Sequence, residues 1–357
     1  MMAKDIWYGG LDPEIDYVLP DAPGDPEMRE GVSLWLFEEN GEFALPRVGL
    51  DAVGGQWNSR RCDMNVAFRD GRVLRQSKHM SAVSPKGGDG RDRVIGAGSL
   101  RFECLEPFRK WRVSFEEELY EGSVQEQIRG DFRLFADSAP DVSHALVPVK
   151  FEAELTMAAP AWTQDYRGDA LDRLSEGDRI DAGLMGYGWR IEQTFNAVGE
   201  LVVGGEARAF KATGDRVHRQ SVRPMGAFRG HCWQAANFSD GRAFGLCIYP
   251  PREDGSTYNI GYICQDGRMY PAKARGDQAA WLRKIMPSGD DVAVELESEL
   301  GITRIEGITA LSTFHMTNPG MKGMNNQQGG VRYTWDGVSA YGMIERSSPA
   351  ELCEVQA

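Results

Sequence analysis

Gly226-Ala-Phe-Arg229-Gly230-His231-Cys232-Trp233-Gln234-Ala235-Ala236-Asn237 is the stretch from which the fold is read. In an extended chain successive side chains point to opposite faces, so His231, Trp233 and Ala235 share one side and Cys232, Gln234 and Ala236 the other. The turn Ser239-Asp-Gly-Arg242 follows at once, and then the apolar run Phe244-Gly-Leu-Cys-Ile-Tyr249. Strand, turn and strand in close succession predict an antiparallel hairpin. Its first strand places a titratable imidazole beside an indole, a pairing suited to a half-apolar pocket.

The same period of two recurs outward from this point. Trp111, Val113 and Phe115 alternate with Arg112, Ser114 and Glu116, and Val149 to Met157 sends Lys150, Glu152 and Glu154 outward. Trp189, Ile191, Gln193 and Phe195 alternate with Arg190, Glu192 and Thr194, and the run from Val292 sets Glu295, Glu297 and Glu299 on one wet side. Asn40-Gly41 is a strong two-residue hairpin signal between apolar runs. The 42 glycines form neither a strand-GxGxxG-helix unit nor a Walker loop, and no helix-strand rhythm supports a nucleotide fold. They fit the turns and bends of curved sheets. At 357 residues the chain is long enough for two domains, and these signals together predict an all-β architecture of two tandem antiparallel barrels or sandwiches with few short helices.

Arg229-Gly230-His231-Cys232-Trp233-Gln234 resembles the Arg-Asp-His-Ser/Asn-Trp-Gly segment of the carotenoid 1,2-hydratase (hydroxyneurosporene synthase) and AttH-like superfamily. There the segment opens a strand in the second of two lipocalin-like domains. Arg, His and Trp are kept; the acidic position is Gly230, the small polar position Cys232 and the closing glycine Gln234. Leu105-Glu-Pro-Phe-Arg-Lys-Trp111, Ile191-Glu192-Gln193 and Tyr341-Gly-Met343-Ile-Glu345 resemble further strands of that family, in the same order. The resemblance implies two lipocalin-like domains with a ligand cavity in or between them. It also implies cofactor-independent lyase or isomerase chemistry (hydration, dehydration, double-bond isomerisation or cyclisation) on a hydrophobic small molecule such as a terpenoid or polyketide.

With the family's acid replaced by Gly230, the expected proton-handling pair is His231 and Glu345. The alternation Tyr341, Met343, Glu345 aligns a carboxylate with apolar side chains, and burial there would raise its pKa into the range of a general acid. Pairing of Glu345 with Arg346 or another surface arginine is the non-catalytic reading. Trp233 and Tyr341 are expected as walls, Arg229 and Asn237 as polar anchors, and Met343, Glu192 and Gln193 as further ligand contacts. A non-catalytic carrier of the same kind of ligand is the alternative, and the lost acid at position 230 favours it.

Composition bounds the partners. Hydrophobic residues make up 41% of the chain and the formal net charge is −13, from 53 acidic against 40 basic residues. With a mean hydropathy of −0.43 this is an ordinary water-soluble composition. An acidic chain without basic patches argues against nucleic acid. No window of 18 apolar residues suggests a membrane span, and the first residues lack the apolar core of a signal peptide, so a cytoplasmic location is expected. The histidines show no metal-ligand spacing, and the six cysteines read as reduced, mostly buried thiols, so neither metal nor cofactor is expected. Homo-oligomerisation is left open.

The expected domain organisation is an N-terminal arm at 1–31, rich in Pro, Gly and Asp, and a first lipocalin-like domain at 32–160. A connection at 161–187 follows, with a short helix near Asp169 to Leu174 and the length of a lid, and then a second lipocalin-like domain at 188–350. Asp277 onward reads as a short helix or the lead into a strand. Thr313 to Gly330, rich in Met, Asn and Gly, reads as a long adaptable loop.

Overall fold

The structure is a computed structural model and describes residues 6–135, 144–275 and 281–356. The first sheet is built from β1 (Arg29–Glu38), β2 (Phe43–Val53), β3 (Ser59–Phe68), β4 (Arg72–Ser81), β5 (Val94–Ala97), β6 (Leu100–Glu106), β7 (Lys110–Ser123), β8 (Leu146–Met157), β9 (Trp162–Asp165), β10 (Tyr187–Val203) and β11 (Glu206–Val222). Their order is β4-β3-β2-β1-β11-β10-β8-β7-β6-β5, with β9 on β10, and β4 also pairs with β7 from Arg72↔Ser123 to Arg75↔Tyr120. That last pairing closes an eight-stranded barrel and removes its open edges. The second barrel holds β12 (His231–Asn237), β13 (Ala243–Ile248), β14 (Asn259–Gln265) and β15 (Arg268–Ala274). After the two-residue β16 (Lys284–Ile285) it continues through β17 (Val294–Ser298), β18 (Gly301–Asn318), β19 (Met324–Trp335) and β20 (Val338–Ser348). It closes where β20 returns to β12, while β16 pairs in parallel with β21 (Glu354–Val355).

Alternation explains the burial. Along β8, Phe151, Ala153 and Leu155 are buried while Lys150 and Glu152 face water. Both barrel interiors are filled by their own side chains: Leu34, Phe43, Phe102, Trp111, Phe115 and Phe151 in the first, Cys232, Phe244, Leu246, Ile263, Tyr333 and Ile344 in the second. The barrels meet outer face to outer face, where Trp35, Phe37 and Val217 pack with Trp233, Ala235 and Met343. Trp35 and Trp233 touch edge to face with centroids 4.7 Å apart, a geometry worth about 0.5–1.5 kcal/mol beyond burial.

Four expectations need correction or completion. The sheets do not divide at residue 188: β10 pairs with β8 on one side and β11 on the other, and β11 pairs with β1 from Arg29↔Ser221 to Glu38↔Ala212. Residues 187–222 are therefore first-barrel strands, without which β1 and β8 would be unpaired edges, and the crossing to the second barrel lies between Val222 and His231. The arm ends earlier, at β1's Arg29, and it docks: Tyr8 packs on Phe108 at 5.2 Å and Asp16 is fully buried inside the first barrel. Thr313 to Gly330 is no long loop, because β18 and β19 pair through it with a short turn at Pro319–Met321. Two register shifts, with Leu311 and Thr317 at positive φ, break the alternation that would have revealed these strands. The run from Asp277 begins outside the described residues, and its end, Lys284–Ile285, is strand.

Helices are few: α1 (Val124–Arg129) is closed by a Ser123/Glu126 capping box, and α2 (Glu176–Met185) is capped by Ser175. The connection near residue 169 forms a 3-10 turn, Gly168–Arg173. Among the described residues no helix is long and apolar enough to cross a membrane, and all six cysteines are free, five of them buried.

Candidate functional site

With both interiors filled, a candidate space for a ligand lies between the barrels. A cavity of about 180 Å³ is walled on one side by the outer face of β1, β2, β3, β10 and β11 and on the other by β12, β13, β18, β19 and β20. An engineered cavity of about 150 Å³ accommodates benzene, so this one takes a ring-sized fragment. Met185, at the end of α2, completes the wall, and its sulfur accepts a bond from Tyr249 Oη at 3.1 Å.

Four adjacent strands of the second barrel carry a hydrogen-bonded row across this wall. His315 on β18 meets Gln328 on β19, Nε2 to Oε1 at 3.2 Å. Gln328 Nε2 donates to Glu345 Oε2 on β20 at 2.7 Å. Glu345 Oε1 lies 3.3 Å from Nε2 of His231 on β12, and His231 Nδ1 lies 2.8 Å from Ser347 Oγ. His231 donates from Nε2 to the carboxylate, and its Nδ1 faces the Ser347 hydroxyl, which can either donate or accept. Gln328 must then turn its oxygen to His315 and its amide N–H to Glu345. Burial holds the His315 pKa well below the usual imidazole range, helped by Arg75, whose guanidinium donates to His315 Nδ1 at 2.5 Å.

Glu345 departs from the expectation. Burial alone would raise its pKa, but the bond and charge of His231, then Arg47 and the Gln328 donor, outweigh it and pull the carboxyl down to about 2. It is held ionised, not in the protonated form that a general acid needs. Nor does it pair with Arg346, which bonds Gln327 and Asp290. Arg47 acts on this carboxylate through its charge, from β2, where it adopts a left-handed conformation, φ 85°, at an irregularity in the β2/β3 ladder, and Asn65 Nδ2 donates to its carbonyl at 2.9 Å. Such a backbone costs about 1–3 kcal/mol and marks a side chain re-aimed by its strand.

The other expected contacts separate. Trp233 lines the cavity and donates from Nε1 to Glu192 Oε2 at 2.8 Å, while Arg190 lies 4.6 Å over its ring and pairs with Glu192. Glu192 is thus a buried support behind the wall. Gln193, one residue on, points into the first barrel and accepts from Arg216 at 2.9 Å. Arg229 is turned away from the cavity into a pair with Asp181 of α2, Nη2 to Oδ2 at 2.8 Å, which Arg252 shares. Asn237 bonds Asn196 at 2.9 Å and shares with Tyr341 a separate surface depression. Met343 is buried in the packing between the barrels. Neither Arg229, Asn237, Tyr341, Met343 nor Gln193 reaches the cavity that holds His231 and Glu345.

Gly230 carries its own explanation. Its φ is +110°, and a Cβ there would stand 2.7 Å from the Ser347 carbonyl oxygen. An aspartate does not fit this backbone, so any carboxylate chemistry must come from another strand. Sequence reading missed His315, Gln328 and Arg47. His315 and Gln328 fell in the segment read as loop, and Arg47 had no neighbour in sequence to single it out. Among the described residues no three metal-ligating side chains cluster.

The comparisons with known proteins extend to the whole chain. A family model described as a domain of unknown function (DUF7064) matches residues 13–350. Among curated proteins none matches the sequence. Among solved structures, a candidate AttH protein from Nitrosomonas europaea aligns with a TM-score of 0.53 and 14% identity, covering 92% of this chain and 99% of that one. The structure of CghA with Sch210972 aligns equally well, at 0.53 and 14% identity over 91% of this chain and 89% of that one. These likenesses are of fold, and at that level the resemblance to AttH-like proteins read from the sequence holds.

Proposed function

The chain belongs to the DUF7064 family, and from the cavity between its barrels we propose that it is a cofactor-independent lyase or isomerase moving a proton on a small, largely apolar molecule. The observation that carries this reading is the ionised Glu345, held on the cavity wall between His231 and Gln328. A carboxylate fixed from two sides beside a ring-sized space is a preorganised base. It accepts a proton from a carbon or hydroxyl of the bound molecule. Return of that proton to a second carbon moves the double bond. Loss of a neighbouring hydroxide, which leaves with the proton as water, gives the alkene, and the reverse is hydration. Arg47 beside Glu345 offers a positive charge to an anion developing in the same space, and Trp35 and Trp233 supply the apolar walls that keep water from competing. CghA, a fold neighbour, is solved with Sch210972.

The test is incubation of the protein with a lipophilic extract of the producing cells in heavy water, read by mass spectrometry. A compound should lose intensity while an isomer or a hydrate carrying deuterium at carbon, or a species lighter by one water, appears. E345Q should abolish the change. A carrier is the second reading, favoured by the glycine-only backbone at 230. A compound that co-purifies and is returned unaltered by wild type and E345Q alike decides for the carrier and against the enzyme.

A further inference from the structure

The first-barrel side of the cavity is unusually cationic. Arg29, Arg47, Arg61, Arg190, Arg219 and Arg223 line it, against only two carboxylates, Asp51 and Glu345. Four of the six are neutralised close by: Arg47 and Arg61 approach Asp63 at 3.9 and 3.4 Å, Arg190 pairs with Glu192, and Arg219 bonds Asp51 at 3.1 Å. Arg29 and Arg223 have no carboxylate within ion-pair distance among the described residues. Arg223 donates its Nε to the Leu184 carbonyl at 2.8 Å, leaving its two terminal nitrogens for the cavity. Among the described residues the Arg29 side chain makes no hydrogen bond, and its Nε is buried without a partner.

These two arginines and Arg219 are neighbours by construction. In the β1/β11 register Gly31 stands opposite Arg219 and Arg29 opposite Ser221, and Arg223 follows two residues on along the same face. Ser221, centred among them, is 1% exposed and its hydroxyl also lacks a partner. Three guanidinium groups thus share one carboxylate, Asp51, and two of them still have free donors. Burial, then the adjacent Arg219, pulls the Arg223 pKa down to about 9, the mark of a cation short of counter-charge. A protein that buries arginines side by side meets their desolvation with an anion, and planar guanidinium donors match carboxylate and phosphate oxygens.

We propose that Arg29, Arg219 and Arg223 form the binding site for an acidic group, a carboxylate or a phosphate, on the molecule whose apolar part lies against Trp35 and Trp233. This rests on the reading that the cavity takes the ligand, and is independent of whether Glu345 moves a proton. The ligand is then an amphipathic acid rather than a plain hydrocarbon. Recognition is divided: the first barrel grips the anion through β1 and β11, and the second presents the Glu345 row to the rest.

Phenylacetate, phenyl phosphate and the neutral isostere phenylacetamide separate the possibilities by calorimetry on the full chain. At least one of the two anions should bind about tenfold or more tightly than the amide, as one charge-assisted contact provides, and that binding should weaken as salt is added. The tighter anion tells carboxylate from phosphate. R29Q and R223Q should each lose about tenfold for the anion and nothing for the amide, with R29K recovering part of the loss. Equal affinity for amide and anions, no binding of any of the three, or anion binding indifferent to both substitutions overturns the proposal. If the glutamine variants do not fold, the amide comparison and the salt dependence of the wild type decide it alone. Selective anion binding without turnover in heavy water removes the enzyme and leaves this site standing; turnover of a neutral compound with no preference for anions does the opposite.

Discussion

Glu345 Oε1 stands 3.3 Å from Nε2 of His231, across the β20/β12 ladder in which Glu345 itself pairs with Trp233. The two side chains come from segments more than a hundred residues apart, yet strand pairing alone puts them on one face. A carboxylate receiving N–H bonds from both His231 and Gln328 stays ionised, the state the proposed proton acceptor needs.

The rate should therefore show no acid limb at the ordinary glutamate pKa of 4.5, because Glu345, pulled down to about 2, remains charged far below it. E345Q should lower kcat by about a hundred- to ten-thousandfold. Q328L removes the smallest of the pulls on the carboxylate without touching its charge, so any acid limb should move up only part of the way toward 4.5. A profile of kcat/KM against pH checks both; a wild-type limb near 4.5 that Q328L leaves in place would show that Glu345 is not the base.

Gly230→Ala should destabilise the fold by about 1–3 kcal/mol, since it forces a side chain into φ +110° and against the Ser347 carbonyl. Gly230→Asp should be no milder, so restoring the acid of the resembled segment should not restore its chemistry. Urea unfolding measures the cost. An aspartate tolerated here with gain of turnover would show that the backbone at 230 is adaptable.

Much of the fold was legible because half-buried strands write their geometry into alternate residues. His231, Trp233 and Ala235 do face the barrel interface while Cys232 and Ala236 fill the second interior, as their spacing predicts. What was hidden is what pairing over long distance decides. The ladder from Arg29↔Ser221 gives β10 and β11 to the first barrel, and nothing near residue 188 announces it. The six cavity arginines are spread from position 29 to 223 and meet only through that ladder and its neighbours. Glu345 was placed on the correct face, but its protonation depends on His231, Arg47 and Gln328 together, and two of those were not legible as partners.

Asp16 ties the N-terminal arm to the first barrel. It is completely buried and bonds Arg216, His218, the Trp111 indole N–H and the Phe108 amide. Burial opposes its charge, but Arg216 and His218 win and hold its pKa at about 2. Its contribution is thus present above 3.8 and is lost as pH falls toward 2. D16N should cost about 3–5 kcal/mol near neutrality, because Arg216 is left buried without its anion. The gap between wild type and D16N in urea unfolding should close in acid below pH 4. A gap constant into strong acid would mean that Asp16 acts by packing alone.

Asp215 titrates in the opposite sense. It sits in β11 between Trp35 of β1 and Thr194 of β10, two rows along the same face from Arg219, and both its oxygens, the Trp35 Nε1 and the Thr194 Oγ1 are buried without a hydrogen-bond partner. Burial pushes its carboxyl up to about 7 against the pull of Arg190 and Arg216. Folding therefore favours the protonated acid, whose contribution is full below 3.8 and is lost as pH rises toward 7. The loss runs at no more than about 1.4 kcal/mol per pH unit across that window. D215N keeps the shape and cannot ionise, so it should match wild type in acid and be the more stable of the two above pH 7. Parallel stability curves for the two proteins would mean that Asp215 is ionised throughout. The cationic face beside it would then be serving an internal carboxylate, and the case for an external anion at Arg29 and Arg223 would weaken with it.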